Sequence, residues 1–96
     1  MSMDGAEKRL TARATGRVQG VGFRQFVVGK ARQVGARGWT RNEADGSVRT
    51  VAEGREENLK ALLSALRRGP SGSQVDRLET EWSDATGEFS GFNIAY

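Results

Sequence analysis

The segment of this 96-residue chain richest in chemical potential is GRVQGVGFR, Gly16 to Arg24. A glycine-rich turn that opens a helix directs several backbone N–H groups into one concavity, and the helix N-terminus adds partial positive charge there. Such a nest suits a tetrahedral oxyanion. Gly20 and Gly22 supply the positive φ and the close backbone approach that it needs. Arg24 falls in the first helical turn, where a cation opposes the dipole. An anion between the guanidinium and the helix end removes that conflict, because Arg grips phosphate through two parallel N–H bonds. No Gly-Lys-Ser/Thr follows, so this is not a Walker loop, and it is not the GxGxxG fingerprint either. As pattern alone it is either a tight connection or an anion site.

A second segment is GWTRN, Gly38 to Asn42, followed by Asp45-Gly46. On a strand, Trp39 and Arg41 share one face and Thr40 and Asn42 the other. Asn is depleted in strands. Asn42 therefore either starts the turn or uses its carboxamide, both donor and acceptor, to hold a water or ligand in a fixed line. Glu43 and Asp45 lie nearby, but strand and turn solubility accounts for them, and no carboxylate is clearly placed as a general base.

Composition narrows the chemistry. The chain has no cysteine and no histidine. That excludes disulfides, thiolate or imidazole zinc sites, Cys nucleophiles and every Ser-His or Cys-His arrangement. Fifteen basic against twelve acidic residues leave +3, and twelve of the cations are Arg. Arg favours forked contacts with phosphate or carboxylate. The bases are interleaved with acids, which suits a small anion better than a polyanion track. The polar N-terminus lacks an apolar signal core, and no stretch approaches 18 apolar residues. A cytoplasmic protein with no membrane contact is expected, and the missing cysteines fit a reducing compartment.

The elements that must position these residues follow from periodicity. Residues 8–15 alternate, with Leu10, Ala12 and Ala14 on one face of a strand. Phe23, Phe26, Val27, Ala31 and Val34 form one helical face, stopped by Gly35. Gly29 inside that helix marks either close packing or a weak spot. A strand over 38–43, a turn at Asp45-Gly46 and a strand over 47–53 make a hairpin. Leu59, Leu62, Leu63 and Leu66 line a second helix, with Glu56 and Glu57 at its start and Arg67 and Arg68 at its end, as the dipole favours. Strands over 75–82 and 92–96 complete the chain, separated by a polar loop around Phe89. The order β-α-β-β-α-β predicts an α+β, ferredoxin-like split βαβ sandwich with two helices on one face of the sheet. One domain over residues 8–96 is expected, behind a flexible segment 1–7.

GRVQGVGFR, then GWTRN and DGSV, with GEFSGF (Gly87 to Phe92) near the end, resembles the acylphosphatase family from about Arg9 to Tyr96. One position departs: Thr40 stands where Val, Ala or Cys is usual. The resemblance implies a five-stranded, antiparallel-type sheet with two helices. It implies hydrolysis of the carboxyl-phosphate bond of small acyl phosphates, releasing inorganic phosphate, with no metal or cofactor. By position, Arg24 binds the phosphate with the backbone N–H groups of Val18, Gln19, Gly20, Val21, Gly22 and Phe23, and Asn42 orients the attacking water.

That chemistry is within reach of these residue types. The leaving carboxylate has a low pKa and needs little acid help. The protein must hold the phosphoryl group, offset its charge and align a water. Charge-assisted hydrogen bonds contribute about 1.5–3 kcal/mol each. Two other readings compete: a ferredoxin-like RNA-binding module and a phosphate-binding domain without turnover. The first strand carries no aromatic, and Trp39, Trp82, Phe92 and Tyr96 read as core or sheet-packing residues, which weighs against RNA. A mere sensor has no use for a water-orienting Asn42. A monomer acting on a small molecule, with no nucleic-acid partner, is the expected state.

Overall fold

The computed structural model describes residues 6–96. Its elements run β1 (Glu7–Arg17), α1 (Phe23–Gln33), β2 (Arg37–Asn42), β3 (Val48–Arg55), α2 (Glu56–Arg68), β4 (Gln74–Asp84) and β5 (Phe92–Ile94). Residues 1–5 of the expected flexible segment lie outside the described residues. Glu7 already belongs to β1, opposite Arg55.

The five strands form one sheet in the order β4-β1-β3-β2-β5. β3 lies between β1 and β2, which is the split βαβ arrangement. α1 packs on β2, β3 and β5, α2 on β1, β3 and β4, and the helices touch each other. Leu10, Ala12 and Ala14 of β1 are buried with Phe23, Val27 and Ala31 of α1 and Leu59, Leu62 and Leu66 of α2. The alternation and the helical spacing therefore generate one shared core. Gly29, by contrast, is solvent-exposed, and a Cβ there would meet nothing within 4 Å. It is a weak spot, not a close approach.

The sheet is mixed where the resemblance implied an antiparallel type, since β5 runs parallel to β2. The cause is the path of residues 85–91. β4 ends opposite Lys8, at the end of the sheet from which β2 departs. The connecting loop crosses that end and delivers Phe92 opposite Gly38, so β5 leaves in the same direction as β2.

Glu53 pins this crossing loop. Its side chain is fully buried, and its carboxylate accepts hydrogen bonds from Arg9 Nε at 2.8 Å, Thr86 N at 2.9 Å, Thr86 Oγ1 at 3.1 Å and Gly87 N at 3.0 Å. Arg9 also reaches Glu88 at 2.8 Å and lies over the Phe89 ring.

Two aromatic residues depart from the expected core packing. Trp82 is 38% exposed because β4 is an edge strand, and Tyr96 is 99% exposed beyond the end of β5. Phe92 is buried as expected. No helix among the described residues is long and apolar enough to cross a membrane.

Candidate active site

The site forms at the opposite end of the sheet from the Glu53 anchor, where β1 and β2 end and α1 begins. The register of β1 against β4 shifts between Thr15 and Gly16, bending the chain as it leaves the sheet. Val18 then turns inward and is buried, rooting the loop in the core. Gly20 and Gly22 follow with φ of 76° and 77°. Gly22 is the N-cap of α1 in the left-handed conformation, and no side chain caps the helix. The first turn holds no acidic residue, so the positive end of the dipole is not offset from within. A Cβ at Gly20 or Gly22 would meet nothing within 4 Å. Glycine is required there for its backbone angle, and not for want of room.

A concavity of about 120 Å³ opens over this loop. Val18, Gly20, Gly22 and Phe23 line one side, and Arg24 and Gln25 project from the first helical turn. Asn42 comes from the end of β2, with Ile94 and Tyr96 from the chain's last residues. The expected pair, Arg24 and Asn42, therefore meets in one small cavity although the two are 18 positions apart in sequence. Arg24 is half-buried and forms no ion pair among the described residues. Its guanidinium lies 5.7 Å from the centre of the Tyr96 ring. Asn42 Oδ1 is buried, and among the described residues it has no hydrogen-bond partner. A buried acceptor left unpaired costs about 1–3 kcal/mol. A ligand or water donor that met it on a small rotation of the amide would satisfy it.

Gln19 and Val21 do not line the cavity with their side chains. Gln19 Nε2 donates to the carbonyls of Glu43 and Ser47, both at 2.9 Å. Val21 packs against the core. Gln25, Ile94 and Tyr96 are lining residues that the sequence did not flag. For Ile94 and Tyr96 the alternation with Phe92 pointed to sheet packing instead.

Among the described residues, no Asp or Glu side chain lines the cavity. Glu43 accepts from Arg41 Nε at 2.7 Å. Asp45 closes the turn by accepting from Ser47 Oγ at 2.6 Å and Ser47 N at 2.9 Å, and it pairs with Arg13. The Ser47 hydroxyl and amide, with Arg13, hold the Asp45 carboxyl below its ordinary value despite some burial. Both acids are thus engaged in shaping the hairpin. Among the described residues, no group of three or more His, Asp or Glu side chains could hold a metal.

Thr40, the residue at variance with the family pattern, is fully buried. Its hydroxyl meets that of Thr50, directly across the strand pair, at 2.9 Å. The polar group is therefore matched, and β2 runs on to Asn42 in register. Larger concavities occur elsewhere, about 390 Å³ beside Trp82 and about 540 Å³ on the open sheet face near Arg49. Among the described residues, neither combines an unpaired cation with an unpaired buried acceptor and a helix N-terminus.

Comparison with known proteins bears on this site. A family model described as acylphosphatase matches residues 10–94. An acylphosphatase of Salinibacter ruber is 50% identical over 90 residues, covering 94% of this chain and 95% of the relative. A crystal structure of the acylphosphatase from Bacillus subtilis superposes with a TM-score of 0.90 at 35% identity, covering 93% of this chain and 99% of that one. An acylphosphatase structure from Coxiella burnetii gives a TM-score of 0.88 at 28% identity, covering 98% of this chain and 100% of that one. Agreement of this kind over nearly the whole length is membership: the chain belongs to the acylphosphatase family.

Proposed function

We propose that the enzyme hydrolyses the carboxyl-phosphate bond of small acyl phosphates in the cavity above the 18–22 loop, with Arg24 and Asn42 as its two catalytic side chains. The phosphoryl oxygens accept from the uncapped N–H groups at the start of α1, from loop N–H groups between Val18 and Phe23, and from the Arg24 guanidinium. Asn42 Oδ1 accepts a hydrogen bond from water and aims its oxygen at phosphorus. Water attacks, the phosphorus–oxygen bond to the acyl group breaks, and carboxylate and inorganic phosphate leave. The water's proton passes to a phosphoryl oxygen of the substrate, since no Asp or Glu side chain among the described residues borders the cavity. The observation that carries this reading is that Asn42, whose Oδ1 is buried and unpaired among the described residues, lines one cavity with an Arg24 that has no ion pair among them.

The toolkit suits the bond. Preorganised donors act on charge that develops during transfer, and losing one costs about 10²–10³ in rate. A good leaving group makes that sufficient without an acid. The proposed donors converge on the phosphoryl half, so acyl phosphates with different acyl groups share the site. Benzoyl phosphate, followed by loss of ultraviolet absorbance, is a convenient substrate. Asn42→Ala should lower kcat about 100-fold while the Ki of inorganic phosphate stays within about threefold. Arg24→Lys should lose most turnover and weaken phosphate together, because Lys lacks the fork. If Ki in Asn42→Ala rises as much as kcat falls, Asn42 binds phosphate and does not align water. A pH–rate profile demanding an ionised enzyme carboxylate would remove the substrate-assisted proton transfer.

The proposed setting is a cytoplasmic monomer with no nucleic-acid or membrane partner. The β4 edge carries Asp76, Arg77, Glu79, Glu81 and Asp84, charges that oppose pairing with a second copy. Trp39, the aromatic on the open sheet face, already lies beneath Arg41 and Arg49, which leaves it poorly placed to stack on a base. A chain without cysteine suits a reducing compartment. Light scattering and a filter-binding assay with single-stranded RNA test the first two points.

A further inference from the structure

We infer that the Gln19 carboxamide is a positioning residue that fixes Asn42 relative to the phosphate loop; the inference rests on the water-orienting role proposed for Asn42. Gln19 lies between Val18 and Gly20, both of which line the cavity. Its Nε2 donates to Glu43 O and Ser47 O, each at 2.9 Å. Glu43 directly follows Asn42, and Ser47 directly precedes the partner of Asn42 on β3, Val48. One side chain thus joins the residues next to the two walls of the cavity, and both protons of its amide nitrogen are committed to that joint.

The hairpin does not need this joint to close. Ser47 O also accepts from Glu43 N at 2.8 Å, and Glu43 O from Gly46 N at 3.1 Å. Asp45 separately holds Ser47 N and Oγ. Each carbonyl keeps a backbone donor when Gln19 is removed. What disappears is the link across the cavity. The loop is rooted independently by buried Val18, so the anion cradle persists without the link. The hairpin end that carries Asn42 stays paired through Val48 to Ala14 of β1 but loses its direct tie to the phosphate loop. Water alignment depends on placement to a fraction of an ångström, and a misplacement of about 1 Å can cost about 100-fold in rate.

The test is Gln19→Met, which keeps length and volume and removes both donors, assayed with benzoyl phosphate alone and in combination with Asn42→Ala. In the wild-type background kcat should fall about 10–100-fold, with the Ki of inorganic phosphate within about threefold. In the Asn42→Ala background the same change should alter kcat less than about twofold, because the group it positions is gone. Gln19→Asn, one methylene too short to span the gap, should reproduce the kcat loss and serves if the Met variant does not fold. An unchanged kcat in either folded variant overturns the inference. So does a rise in Ki that matches the loss of kcat, which would mean that Gln19 merely supports the loop, and so does a full multiplicative loss on top of Asn42→Ala. If Asn42→Ala alone leaves kcat intact, the water-orienting role fails first and the inference falls with it.

Discussion

The guanidinium of Arg24, the cation proposed to grip phosphate, lies 5.7 Å from the centre of the Tyr96 ring, within cation–π range. The aromatic face attracts the cation and restricts its swing. At an exposed site such a contact contributes about 0.5–1 kcal/mol. Tyr96→Leu should therefore raise the KM for benzoyl phosphate and the Ki of inorganic phosphate about two- to fivefold. Tyr96→Phe, which keeps the ring, should match the wild type. Equal constants for the Leu variant and the wild type would show that the contact does not preorganise Arg24.

Thr40 and Thr50 make a second pair whose worth lies in being complete. Their hydroxyls meet at 2.9 Å in a fully buried position between strands. Thr40→Val alone leaves the Thr50 hydroxyl buried without that partner, at a cost of about 1–3 kcal/mol. Thr40→Val with Thr50→Val removes both polar groups at constant shape and should recover most of the loss. Urea denaturation of the single and double variants checks this. A double variant less stable than either single one would mean that the hydroxyls are not a closed pair.

Local periodicity exposed what neighbours in sequence determine. Leu59, Leu62 and Leu66 recur at helical spacing and are buried on one face of α2, and Leu10, Ala12 and Ala14 alternate and face the helices. Arg24 and Asn42 were visible as residue types at odds with their local setting, a cation at a helix start and an amide in a strand. What escaped notice depends on segments that meet only after folding. Glu53 looks like an ordinary polar position on a strand, and only the crossing loop at Thr86 and Gly87 buries it. Tyr96 continues the alternation of Phe92 and Ile94, yet strand pairing stops at Thr40 and Ile94, so no neighbouring strand covers its ring. The direction of β5 likewise follows from where the loop lands.

Gly29 offers a gain in stability without loss of function. It sits in the interior of α1, exposed, with open space where a Cβ would go. Replacing a mid-helix Gly by Ala is worth about 1 kcal/mol. Gly29→Ala should raise Tm by about 4–8 °C, as expected for a domain of this size. Because Gly29 lies away from the cavity, kcat should not change. A calorimetric scan with no upward shift would point to an unseen constraint on that turn.

The Glu53 anchor predicts how the fold responds to acid. Burial pushes this carboxyl up, but the amides of Thr86 and Gly87, the Arg9 side chain and the Thr86 hydroxyl together outweigh it and hold the group at about 2, against an ordinary 4.5. The unfolded chain then takes up a proton near pH 4.5, while the folded chain resists until about pH 2. The stabilisation is present in full above about pH 4.5 and is lost as pH falls toward 2. A depression of this size corresponds to about 3 kcal/mol. Glu53→Gln keeps the shape but accepts more weakly, and its amide nitrogen faces donors, so it should be less stable at pH 6. The gap between the two proteins should narrow steadily from about pH 4.5 downward, because only the wild type has a charge to lose at this position. Urea midpoints measured at pH 6, 4 and 2.5 read it directly. A gap that stays constant across that range would mean that the donors around residue 53 do not favour the ionised carboxylate.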